Sequence, residues 1–110
     1  MFTGYGEGYV LVNGERHERS MTVLPDRLID WAPENYAALQ AVHFEELVPL
    51  ELEMLLLGTG AILRFPHPRM TAALTRTRTG VEVMDLHAAC RTYNILAAEE
   101  RRVGAALLFG

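Results

Sequence analysis

Apolar and polar positions along the chain fall into short alternating runs near the amino end and into longer runs of period three to four, or unbroken apolar stretches, beyond residue 50. Tyr9 to Asn13 reads as a strand. Gly14 and Glu15 then turn the chain into a second run from Arg16 to Val23, which predicts an N-terminal β-hairpin. The glycine-rich start, Gly4 to Gly8, reads as the one flexible piece. Leu24-Pro25-Asp26 punctuates the hairpin, and Arg27 to Trp31 predicts a short strand stopped at Pro33. Asn35 caps a predicted helix whose apolar positions, Tyr36, Leu39, Val42 or His43, and Leu47, recur at three and four before Pro49 ends it. Glu51 to Leu57 predicts a strand, and its unbroken Met54-Leu-Leu-Leu57 stretch suits a central place covered on both faces. Pro66 or Pro68 opens a helix to about Thr77, Gly80 stops it, and Val81 to Asp85 forms another strand. Asp85 caps a helix from Leu86 to Ala97, and Arg102 to Phe109 is the last strand. This order predicts one α/β domain over residues 1–110, three-layered, with a sheet covered by helices through right-handed crossovers.

Composition narrows the chemistry. Among 110 residues there is one cysteine, Cys90, so neither an internal disulfide nor a thiolate-built metal site is available, and a reducing compartment is expected. All ten basic residues are arginines, which excludes both a lysine-bearing phosphate loop and Schiff-base chemistry. The only serine, Ser20, sits in no Gly-x-Ser-x-Gly elbow. A net charge of −4 argues against nucleic acid as a partner. No apolar stretch approaches the roughly 20 residues of a membrane helix, and the amino end resembles neither a signal nor a transit peptide, so a cytoplasmic location is expected. The four histidines are scattered without ligand spacing, and neither a metal nor a cofactor is expected.

Candidate chemistry concentrates in the carboxyl half. Gly58-Thr59-Gly60 follows the apolar strand, where open α/β sheets bind ligands and glycines admit close backbone approach to an anion. On the Leu86 to Ala97 helix, Leu86, Ala89, Cys90, Tyr93, Leu96 and Ala97 fall within an arc of about 120° that forms the core face. His87, Arg91 and Asn94 make a separate stripe at spacings of four and three, which reads as a solvated face or a binding surface, Arg91 being suited to a carboxylate or phosphate. Cys90 belongs with the core. Glu82, between Val81 and Val83, points either into a sheet face or to solvent at an edge. The acidic run from Glu45 to Glu53 and the arginine-rich run from Arg64 to Arg78 read as solvated surfaces that can also orient a partner.

The chain resembles a small single-domain family, largely of unknown function in bacteria and archaea, whose mitochondrial members include an assembly factor of respiratory complex I and whose animal relatives include an adipogenesis-associated protein. The matching segments are Leu55-Leu-Leu-Gly-Thr-Gly60, Arg64-Phe-Pro66, Gly80-Val-Glu-Val-Met-Asp85, Ala89-Cys-Arg-Thr-Tyr-Asn-Ile-Leu96 and Arg101-Arg-Val103, with Val23-Leu-Pro25 and Trp31 in matching spacing. The resemblance implies a three-layer α/β fold with a mixed sheet, work with protein partners in complex assembly, and no catalytic residues to transfer. Leu86-His87 and Glu100 depart from it, standing where the family often shows a threonine with a small residue and a glycine. The expected function is therefore a non-enzymatic interaction module using Gly58, Thr59, Gly60, Arg91 and Asn94, its protein partner unspecified. The alternative is a small-molecule or anion site, with or without a reaction, built from the glycine turn, Glu82, Cys90 and Arg91. A third arrangement is a homodimer through the helix stripe and the last strand.

Overall fold

The computed structural model describes every residue from Met1 to Gly110. Eight strands form two sheets: β1 (Phe2–Gly6), β2 (Tyr9–Val12) and β3 (Glu15–His17) in one, and β4 (Met21–Val23), β5 (Leu28–Asp30), β6 (Met54–Gly58), β7 (Gly80–Met84) and β8 (Val103–Leu107) in the other. The larger sheet runs β5-β4-β8-β6-β7 and is mixed: β6 is parallel to β7 and β8, whereas β4 is antiparallel to β5 and β8. One face packs against α3 (Leu86–Ala98) and the small sheet, burying Phe2, Val10, Leu56, Tyr93 and Leu107. The other packs against α1 (Ala41–Glu45), α2 (Pro68–Arg76) and Trp31, burying Phe44, Leu55, Leu57, Leu74 and Leu108. Alternation along Leu55-Leu56-Leu57 thus feeds both cores, as an unbroken apolar strand must when both of its faces are covered. The predicted three-layer α/β architecture is present.

Local expectations need correction at several places. The glycine-rich start is not loose: it is β1, joined to β2 by a two-residue turn at Glu7-Gly8 with Gly8 at φ 76°. The run from Arg16 to Val23 is two strands in two sheets, because β2 and β3 close through an Asn13-Gly14 turn with both residues at positive φ, while the fully buried Met21, Thr22 and Val23 belong to the larger core. The helix expected from Asn35 to Leu47 is broken into a 3₁₀ turn (Tyr36–Ala38), α1 and a second 3₁₀ turn (Val48–Leu50), since Leu39 and Gln40 are extended and the Gln40 N–H donates to His43 Nδ1 at 2.9 Å.

Both long helices end alike. The N–H of Arg78 donates to Thr75 O and that of Thr79 to Leu74 O; the N–H of Glu100 donates to Ala97 O and that of Arg101 to Leu96 O. This is the Schellman arrangement, which puts its pivot residue in the left-handed region. Arg78 (φ 66°) and Glu100 (φ 61°) hold those pivots, so Arg78, rather than Gly80, stops α2. Gly80 instead begins β7, where an added Cβ would lie 3.0 Å from Met54 Cε. Glycine at position 100 would relieve backbone strain and remove a carboxylate from a helix carboxyl end. Glu100→Gly is expected to stabilise the fold by about 0.5–1 kcal/mol after the added unfolded-state entropy, raising Tm by a few degrees in calorimetry; a fall would show that the pivot is unstrained.

Candidate functional site

The polar stripe on α3 is not an open face. The small sheet lies along it, and each of its residues meets β1. The Phe2 N–H donates to Asn94 Oδ1 at 2.9 Å, and Asn94 Nδ2 donates to Phe2 O at 2.7 Å. One turn earlier, Arg91 Nη1 donates to the Tyr5 hydroxyl at 3.0 Å. At the start of the helix, His87 Nε2 lies 3.0 Å from Gly6 O, and its ring stacks on Tyr5 with centroids 4.2 Å apart. The spacing of four and three puts these side chains in line along the helix, and β1 runs past that line. Of the three, only Arg91 remains exposed. Its hydrogen bond to Tyr5 raises its pKa further, with a smaller contribution from nearby Asp85.

The glycine turn is likewise built into the fold. An added Cβ at Gly58 would sit 2.9 Å from Leu107 Cδ2 and 3.2 Å from Ala89 Cβ, so its absence lets α3 lie close against β6 and β8. Thr59 is buried. Its hydroxyl donates to Ile62 O at 2.7 Å and accepts from the Arg64 N–H at 3.1 Å, while its own N–H donates to Met84 O. Gly60 turns at φ 89°, and its carbonyl accepts the Leu86 N–H at the head of α3. The turn therefore aims and fastens the loop that follows it.

A cleft of about 430 Å³ opens at the carboxyl ends of the parallel strands, between Gly60, Ala61, the first residues of α3, the Glu7-Gly8 turn and Phe109-Gly110. Its charged groups are two carboxylates, Glu7 and Asp85, beside one imidazole, His87. Asp85 already caps α3, accepting the Ala88 N–H at 2.9 Å. An anion entering there would face like charge, contrary to the anion site read from the glycine turn. A second cleft, of about 520 Å³ at the opposite end, is lined by Arg27, Arg101 and Arg102 together with Asp26 and Glu100; Arg101 is held by Glu53 at 2.6 Å and Arg102 by Leu50 O.

The sequence candidates do not converge. Gly60 alone lines the first cleft, Gly58 and Thr59 are buried behind it, and Asn94 and Arg91 face β1. Glu82 is exposed at the sheet edge, as one of its two readings had it. Cys90 is 1 % exposed and burial pushes its thiol up to about 12, against a smaller opposing pull from Arg91, so no thiolate nucleophile is present at neutral pH. No three His, Cys, Asp or Glu side chains gather where they could hold a metal ion. The last strand, β8, is central and buried, and β1 occupies the helix stripe, so the face considered for a homodimer is already covered.

Two open features escaped the sequence reading. Ile62, Leu63 and Phe65 stand out in solvent on the loop after Gly60, exposed by 60, 46 and 71 %. Their signal was available: three large apolar residues between a glycine and a proline, with neither strand nor helix period. The other is the outer rim of β7. Gly80 N–H donates to Glu53 O and Met84 O accepts from Thr59, so even-numbered residues of β7 turn their backbone groups toward β6. Parallel-ladder alternation directs those of Val81 and Val83 outward, where neither makes a bond beyond the ladder.

The chain matches, over residues 2–108, a family model described as protein of unknown function (DUF498/DUF598). It is 31% identical over 106 residues to NADH dehydrogenase [ubiquinone] 1 alpha subcomplex assembly factor 3 of Bos taurus, covering 94% of this chain and 58% of that protein. The counterpart from Danio rerio is 30% identical over 99 residues, covering 88% and 57%. The chain therefore spans less than two thirds of the length of these relatives. A crystal structure of a protein from Bordetella parapertussis superposes with a TM-score of 0.92 at 38% identity, covering 98% of this chain and 93% of that one. No helix here is long and apolar enough to cross a membrane.

Proposed function

As the chain belongs to the DUF498/DUF598 family, we propose that it is a non-enzymatic protein-interaction module that assists assembly of a respiratory or other membrane complex. The names of its relatives support the assembly role. The observation that carries the interaction role is the open rim of β7. Four backbone groups of Val81 and Val83 face outward at the edge of a five-stranded sheet with no partner in the chain. Such a rim is a template for an added strand, supplied here by an extended segment of the partner. Glu82, projecting from the same strand, selects against edge-to-edge pairing with a second copy by placing like charges together. Binding suits the molecule better than a reaction because Thr59, His87 and Asn94 spend their polar groups on internal bonds.

Val83→Pro tests the reading, since the N–H it removes serves no ladder bond. Expressed in a deletion strain of the native organism, the variant is expected to accumulate folded yet leave the respiratory NADH dehydrogenase complex at the deletion level on native gels. Full restoration of the complex by a folded variant would refute strand addition at this edge.

A further inference from the structure

We infer that the loop from Ala61 to His67, with the solvent face of α2, docks on an anionic lipid bilayer. Ile62, Leu63 and Phe65 are the apolar part, and Phe65, 71 % exposed, is the most exposed large apolar side chain in the molecule. The backbone carrying them belongs to neither helix nor strand, yet it is not free to fold them away. The Thr59 hydroxyl ties Ile62 O and the Arg64 N–H to the end of β6. All three side chains therefore stay open to solvent.

Charge identifies what the loop meets. From Met54 through Val81 the chain carries no aspartate or glutamate, although the whole chain is at −4. The same span holds Arg64, Arg69, Arg76 and Arg78, and none of them takes part in an ion pair. Arg64 lies between the apolar residues, with its guanidinium 5.6 Å from the Tyr36 ring centroid. Arg69 and Arg76 are seven residues apart, which is two turns, so both lie on one face of α2. Apolar side chains that flank one guanidinium group on the loop, with further arginines on the adjoining helix, suit insertion between headgroups, with the arginines remaining at phosphate level. A groove-forming protein would have to bring carboxylates to the same arginines; a bilayer with anionic lipids supplies its charge as a continuous surface and needs no matching shape. This docking uses residues other than those of the β7 edge.

The test uses the full chain and vesicle flotation at low ionic strength. Vesicles of phosphatidylcholine with about a third phosphatidylglycerol should carry the protein upward, pure phosphatidylcholine should not, and added salt should release it. Ile62→Ser with Phe65→Ser, and separately Arg64→Gln with Arg69→Gln, should each reduce binding by about tenfold or more. Phe65→Trp should show a blue-shifted emission on addition of the anionic vesicles, against the constant signal of buried Trp31. All these positions are exposed, so circular dichroism should show each variant folded. The proposal is overturned by absent flotation, by equal flotation on neutral vesicles, or by binding that both double variants retain. A blue shift of the Phe65→Trp variant produced by soluble protein in place of vesicles would assign the loop to a protein occupant and overturn it equally.

Discussion

Asn94→Ala is expected to cost about 2–4 kcal/mol and to lower Tm by on the order of 10 °C, with the loss centred on the small sheet. The amide of Asn94 does what an adjacent strand would do for Phe2, accepting from its N–H at 2.9 Å and donating to its carbonyl at 2.7 Å. Alanine leaves both groups of Phe2 without a partner beside α3, and a group of that kind costs about 1–3 kcal/mol when water cannot reach it. Phe2 itself packs edge-to-face on Tyr93 at 5.3 Å, so loosening β1 also exposes part of the core beneath it. Asn94→Asp separates the two bonds, because a carboxylate still accepts the N–H but has no hydrogen for the carbonyl; roughly half the loss is expected. Hydrogen exchange should show β1 and β2 unprotected in the alanine variant while β6 and β8 keep their protection. Unchanged exchange in β1 would mean that Asn94 is not what fastens the sheet.

At Gly58 the expected failure is of the opposite kind, too much matter in a filled place. A methyl there would lie 2.9 Å from Leu107 Cδ2 and 3.2 Å from Ala89 Cβ. The leucine end can rotate away, whereas the Ala89 Cβ moves only with the helix. Gly58→Ala is therefore expected to cost about 1–2 kcal/mol and Gly58→Val about 3 kcal/mol or more, even though valine favours strands. Urea titration should report a lower midpoint with an unchanged slope. A valine variant within about 1 kcal/mol of the parent would show that the helix can stand off from the sheet.

What the sequence made legible follows from how local each determinant is. β6 announces itself because Leu55, Leu56 and Leu57 must satisfy two cores at once, and α3 because Asp85 caps it and its apolar arc is continuous. β1 was unreadable for the reverse reason. Gly4 and Gly6 depress strand propensity, and the contacts that overrule them, with His87, Arg91 and Asn94, lie 81 to 92 residues away. Periodicity placed those three side chains in line but had no means of naming their partner. The helix after Asn35 failed at Leu39 and Gln40, where the ring nitrogen of His43 takes a backbone N–H that a continuous helix would have used internally. The candidate site was legible as a set of residues and not as a place. Glycines at 58 and 60 mark close approach whether the visitor is a ligand or, as for Gly58, the protein's own helix, and nothing local distinguishes the two. The open features were hardest, since an exposed loop and an unpaired edge are defined by what fails to cover them.

The position of β8 has a consequence for how the molecule comes into being. This strand is made after every other element of its sheet, yet it lies in the middle, antiparallel to β4 on one side and parallel to β6 on the other. Until Val103 to Leu107 is available, the β4-β5 pair and the β6-β7 pair have no common neighbour, and the apolar sides meant for Ala105, Ala106 and Leu107 stay open. A nascent chain stalled before this point holds two unjoined half-sheets with sticky inner edges, the condition in which chains pair wrongly with one another. Folding thus waits for synthesis to finish this strand and then closes in one step over long sequence separations, which favours slow, all-or-none kinetics.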